Sequence, residues 1–171
     1  MASNYLPKVE KSAVERTLAK ENSAAFFDLI VEPLHEELYK RQDFNFMNEL
    51  SEGQQLFLSY DYLRTQVLQG GFLQLLVNGY VGLLPDMPAW LTIVNAGEMA
   101  QVIDDVLKVY VLNIQLLDKE TTPEEFAKLY DELKEFEILD ERFNELHEAT
   151  MNSLATYARH HMEEFVTVTE H

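Results

Sequence analysis

Apolar residues recur along this chain at steps of three and four, which marks amphipathic helices rather than strands. After Pro7, the spacing of Val9, Ala13, Val14 and Leu18 predicts a short helix over about 8–20. Ser23 is placed to cap a second helix whose apolar side is Phe26, Phe27, Ile30, Val31 and Leu34. Pro33 lacks a backbone donor, so this segment is expected to kink or restart near Glu32. An irregular aromatic stretch, Asp43 to Asn48, links it to the next element. Ser51-Glu52-Gly53-Gln54 then has the spacing of a capping box. Leu56, Phe57, Tyr60, Leu63, Val67 and Leu68 line one side of the helix it starts. Gly70-Gly71 is expected to end that helix, because glycine takes left-handed backbone conformations without penalty.

A short helix follows from Phe72 to Val77 and stops at Asn78-Gly79, and Pro85 and Pro88 bracket a turn before Trp90. Residues 97–117 carry the strongest helical signal, through Met99, Val102, Ile103, Val106, Val109, Tyr110, Asn113, Ile114 and Leu117. Apolar residues nearly encircle the second half, which predicts a central, heavily buried helix. Thr122-Pro123-Glu124-Glu125 reads as a helix start, with threonine as cap and proline in the first turn. A last helix is expected from Asp140 to about Phe165. Only Phe165-Val166-Thr167-Val168 reads as a strand, a terminal one that is free to fray. The predicted fold class is therefore all-α, a compact multi-helix single domain over residues 1–171.

Charge narrows the function. The 171 residues hold 13 Lys+Arg against 30 Asp+Glu, a formal −17, yet 47% are hydrophobic. A disordered chain of that charge would be poor in apolar residues, so this one folds around a core. Its acidity disfavours nucleic acid and anionic membranes, both of which attract Lys and Arg. In the first twenty residues, Lys8, Lys11, Arg16 and Lys20 against Glu10 and Glu15 leave +2. The remainder holds 9 basic and 28 acidic side chains, a net −19, so the expected partner is basic. Cysteine is absent, which removes disulfides, a thiolate nucleophile and Cys-ligated metal. The N-terminus lacks a signal peptide's apolar core and no apolar run is long enough to span a bilayer, so the expected location is the cytoplasm.

The histidines offer little chemistry. Glu32-Pro33-Leu34-His35 has the Glu-x-x-His spacing of di-iron bundles, but such sites need it twice, so a surface histidine beside a helix restart is the better reading. His160-His161 with Glu164 offers at most a loose ion site, and His147-Glu148 lacks a second histidine. Glu36-Glu37, Asp104-Asp105 and Glu163-Glu164 are carboxylate pairs that 30 acids make inevitable, and Asp104-Asp105 is expected on the exposed side of its helix. No enzyme, cofactor or metal site is expected.

The acids are unevenly spread. Residues 118–148 hold Asp118, Glu120, Glu124, Glu125, Asp131, Glu132, Glu135, Glu137, Asp140, Glu141, Glu145 and Glu148 against Lys119, Lys128, Lys134 and Arg142, a net −8. In helical register, Glu137, Asp140, Glu141, Glu145 and Glu148 form a row of like charges, each adjacent pair costing a few tenths of a kcal/mol. Folding does not require such a row. It serves solubility, or it presents carboxylates as duplex DNA presents phosphates, one charge per ~1.7 Å of axis. The candidate partner-binding surface is these twelve acids with Glu32, Glu36 and Glu37. The competing readings are a generic acidic interaction module and, more remotely, a small metal-dependent enzyme.

Leu50-Ser51-Glu52-Gly53-Gln54-Gln55 and Gln69-Gly70-Gly71-Phe72-Leu73-Gln74 resemble the signature of a bacterial all-helical family. That family typically carries Asn-Gly-Gly-Phe-x-Gln; here Gln69 replaces the asparagine and Leu75-Leu76 an aromatic pair. In length, acidity and order of segments the chain is similar to the dimeric, acidic DNA-mimic proteins of Neisseria within it. The resemblance implies an all-helical homodimer whose carboxylates stand in for phosphates and keep a helix-turn-helix transcription factor from its operator. It assigns the signature block to supporting the fold.

Overall fold

A computed structural model describes residues 3–170, which form helices joined by short turns and one short pairing of two strands. The elements are β1 (Lys8–Glu10), α1 (Lys11–Ala19), α2 (Ser23–Arg41), α3 (Glu52–Val77), α4 (Met87–Ile93), α5 (Gly97–Leu112), α6 (Ile114–Leu117), α7 (Pro123–Glu132), α8 (Glu135–His160) and β2 (Thr167–Thr169). By contacts the chain forms two units, one of residues up to Leu58 together with those from Ala149 onward, the other Ser59–Glu148. The boundaries fall within α3 and α8.

In the first unit, Phe27 stacks on Phe57 at 4.9 Å between ring centres, and Phe57 meets Phe165 at 4.8 Å. Ile30, Leu34, Leu154 and Ala158 are fully buried around this aromatic core. The capping box forms as its spacing predicts: the Gln54 N–H donates to Ser51 Oγ at 3.1 Å, and the Ser51 N–H donates to Gln54 Oε1 at 2.9 Å. The same two buried side chains hold both ends of the chain. Gln54 Nε2 donates to the carbonyls of Tyr5 and Phe165, and Ser51 Oγ donates to that of Glu164.

Two expectations for this unit fail for the same reason. Residues 8–10 are extended rather than helical, and the terminal segment is paired rather than frayed. Lys8, Val9 and Glu10 lie in parallel register with Thr167, Val168 and Thr169. Each strand's partner is some 160 residues away in sequence, where local periodicity has no reach. Helix α2 also corrects the sequence reading. Asn22 caps it, accepting from the Ala25 N–H at 3.2 Å, and the helix runs unbroken through Pro33. Burial of Phe26, Phe27, Ile30, Val31, Leu34 and Leu38 outweighs the one backbone bond that proline forgoes.

In the second unit, Phe143 packs against Tyr60 and meets Phe72 edge-on at 5.7 Å. Leu63, Leu75, Leu84, Met87, Leu91, Ile103 and Val106 are fully buried. The Gly70-Gly71 terminator becomes an interruption: Gly71 alone leaves helical geometry, at φ 78° and ψ 179°, and helical turns resume at Phe72. Pro88 lies in the first turn of α4, which contains Trp90. Helix α7 starts as expected, with Thr122 Oγ1 accepting from the Glu125 N–H. Helix α8 begins at Glu135, five residues before the predicted start, and ends at His160.

The predicted central helix is only half central. Met99, Ala100, Val102, Ile103 and Val106 are buried, but Val111 and Leu112 are 66% and 83% exposed. The helix ends at Asn113, and in α6 Ile114 and Leu116 are exposed while Leu117 is buried. Apolar character on all sides of a helix signals burial only where other elements cover it, and Val111, Leu112, Ile114 and Leu116 are not so covered.

Candidate partner-binding surface

Thirteen of the fifteen acids singled out in the sequence are exposed; Glu37 and Asp140 are half-buried. Three sit on α2 in the first unit, and the other twelve belong to the second. On α7, Glu124 and Glu125 occupy the first turn, and Asp131 and Glu132 end the helix. Leu129 is its only buried side chain, so α7 shows nearly its whole circumference to solvent.

The early start of α8 brings Glu135 and Glu137 into its first turn, where the helix dipole favours carboxylates. Glu137, Glu141, Glu145 and Glu148 then follow on one continuous helix, all exposed. With a rise of ~1.5 Å per residue they cover about 16 Å of axis. Arg142 interrupts this charge, donating to Glu145 at 3.1 Å and reaching Glu98 at 3.4 Å. Lys128 lies 3.8 Å from Glu132. Exposed pairs of this kind contribute ~0–1 kcal/mol, leaving the surface strongly negative.

The two half-buried carboxylates, Glu37 and Asp140, are engaged within the fold. Glu37 accepts from Arg41 Nε at 2.8 Å, which holds its pKa below the usual carboxylate range; the same guanidinium also binds Glu49. Asp140 turns to the interruption in α3 and accepts from the Phe72 N–H at 2.8 Å. Burial pushes its pKa up to about 6; the Phe72 bond opposes that rise and nearby Glu137 adds to it. A Cβ at Gly71 would collide with the Asp140 carboxylate, and one at Gly70 would collide with the Gln74 side chain. Gln74 in turn donates to Gln66 and Gln69. The Gln-Gly-Gly-Phe-x-Gln block is thus the sequence of a one-residue helix break, capped from α8 and edged by an amide network. Sequence offered one signal for the role of Asp140, the need of a restarting helix for an acceptor at its first N–H groups, but no clue to which residue supplies it.

The histidines are held by local bonds. His147 Nδ1 lies 2.9 Å from the Tyr60 hydroxyl, with its ring stacked beside Phe143, and burial lowers its pKa. His160 and His161 each place Nδ1 against the carbonyl four residues earlier. Glu164 accepts from the Tyr157 hydroxyl at 2.9 Å. His35 is half-buried on an unbroken α2, not beside a helix restart. Among the described residues, no group of three or more His, Asp or Glu is placed to hold a metal ion. Asp104 is exposed, and Asp105 accepts from Gln101 Nε2 at 2.9 Å. Among the described residues no single helix is long and apolar enough to cross a membrane.

The matching family model, described as DMP19-like protein, covers residues 48–161, from just before the capping box to the end of α8. The chain belongs to the DMP19-like family. No curated protein matches it. The matched region contains the signature break, α7 and the whole α8 acid row, so the acids lie within the DMP19-like region rather than on an appendage. Membership is consistent with a DNA-mimic protein, and the DMP19-like family is not a known enzyme family.

Proposed function

We propose that this protein is a DNA mimic whose surface carboxylates occupy the DNA-binding face of a helix-turn-helix transcription factor and block its operator. The observation that carries this reading is the exposed row Glu137, Glu141, Glu145 and Glu148 on α8, inside the region that matches the family. In the same unit, helix α7 adds Glu124, Glu125, Asp131 and Glu132, and the segment between α6 and α7 adds Asp118 and Glu120; Glu32 and Glu36 are exposed by themselves on α2 of the other unit. Such a protein needs no chemistry of its own. It competes for the Lys and Arg side chains that displace counterions from DNA, and it acts in the cytoplasm, where that partner works. Asp140 and Glu37 serve the fold first, because each is half-buried and already committed to a donor.

Capture of partners from host lysate on the immobilised protein tests the reading. The captured protein should bind DNA, its own operator duplex should displace it, and its affinity should drop at least about tenfold between 50 and 200 mM salt. A partner indifferent to both salt and duplex overturns DNA mimicry and favours a generic acidic interaction module.

A further inference from the structure

One large apolar side chain stands within the acid row of α8. Ile138 is 66% exposed, more than any other large apolar side chain in residues 118–148. Phe136, Phe143 and Leu146 turn into the core, whereas Glu137, Ile138, Glu141, Glu145 and Glu148 are exposed. Glu141 and Glu145 follow Ile138 by one and two helical turns, so all three share a face. The residues three and four positions away in either direction, Lys134, Glu135, Glu141 and Arg142, are all charged. Arg142 is itself drawn to Glu145 and Glu98.

Folding supplies no reason for isoleucine at this position. Its branched β-carbon loses rotamer freedom in a helix, and so exposed a side chain gains little burial in return. An apolar centre ringed by charge is, however, the anatomy of a protein-binding hot spot. Duplex DNA offers its partners the same two ingredients. Its phosphates position a protein, while its base edges select one. In the major groove the apolar group on those edges is the thymine C5-methyl, which apolar side chains of a recognition helix contact. Carboxylates alone attract any basic face, so selection among basic faces needs something besides charge. We propose that Ile138 is the specificity-determining residue of the acidic face. It seats against an apolar side chain on the recognition helix of a helix-turn-helix factor, where a thymine methyl sits in DNA, while Glu141 and Glu145 engage the surrounding Lys and Arg. This role rests on the DNA-mimic reading of α8.

Two alanine-based helical peptides probe it with the full chain. They carry the same arginines one turn apart and differ at one central position on that face, leucine or glutamine, both good helix formers. By fluorescence anisotropy, the wild type should bind the leucine peptide at least about fivefold more tightly than the glutamine one. Ile138→Gln should abolish that preference, with helical circular dichroism and the salt dependence of binding unchanged, and Ile138→Leu should retain it. Glu141→Gln should weaken both peptides alike, keep the preference and make binding less sensitive to salt. A wild type that binds the two peptides equally, or an Ile138→Gln variant that keeps the preference, overturns the role of Ile138 and leaves the mimic reading standing. Binding of neither peptide, or binding indifferent to salt, overturns the mimic reading and the role of Ile138 with it.

Discussion

Asp140 shows how one side chain can depart from the pattern around it. By sequence it belongs to a like-charge row with Glu137 and Glu141. In the fold it faces inward and holds the Phe72 N–H. Its pKa, about 6 against an ordinary 3.8, means that the folded state favours the protonated acid. That contribution to stability is fully present below about pH 4 and is lost as pH rises through 6. A shift of that size corresponds to ~3 kcal/mol, which solvent access to a half-buried group reduces to about 1–2 kcal/mol. Asp140→Asn keeps an acceptor for Phe72 without a charge to bury. It should therefore unfold in urea at higher concentration than wild type at pH 7, and the advantage should vanish at pH 4. Equal stabilities at pH 7 would mean that the buried charge costs nothing.

Among the elements, α3 depends most on a single backbone conformation. Gly71 has φ 78° and ψ 179°, a region essentially closed to other residues, and a Cβ there strikes the carboxylate that caps the next turn. Gly71→Ala should destabilise the protein by roughly 2–4 kcal/mol in denaturant titrations. Gly70→Ala should cost about 1 kcal/mol or less, since its obstacle is the flexible end of Gln74. Comparable losses at both positions would show that the break is not what matters. The glycine pair was legible in the sequence as a terminator, but whether the chain turns away or resumes its helix depends on a capping acid 68 residues later. The helix through Pro33 teaches a related lesson. A local rule predicts a break, and six buried side chains on either side override it.

For the whole molecule, charge and stability pull in opposite directions. The α8 row works against folding on balance, because like charges one turn apart repel by a few tenths of a kcal/mol per pair and the Arg142–Glu145 pair is exposed. Replacing Glu137, Glu141 and Glu145 together by glutamine should raise the thermal midpoint by a degree or two and weaken partner binding at least about tenfold. Unchanged binding would move the interface away from α8.

Composition and periodicity alone determined the helical class, the capping box at Ser51, the threonine cap at Thr122 and the clustering of acid in residues 118–148. Each follows from bonds or charges a few residues apart, which a helix reproduces wherever it sits. Only the tertiary structure decided that Lys8–Glu10 pairs with Thr167–Thr169, that Asp140 turns inward, and that the apolar end of α5 lies open to solvent. Those outcomes depend on which distant segment covers a given face, and burial is a property of neighbours that a local pattern does not contain.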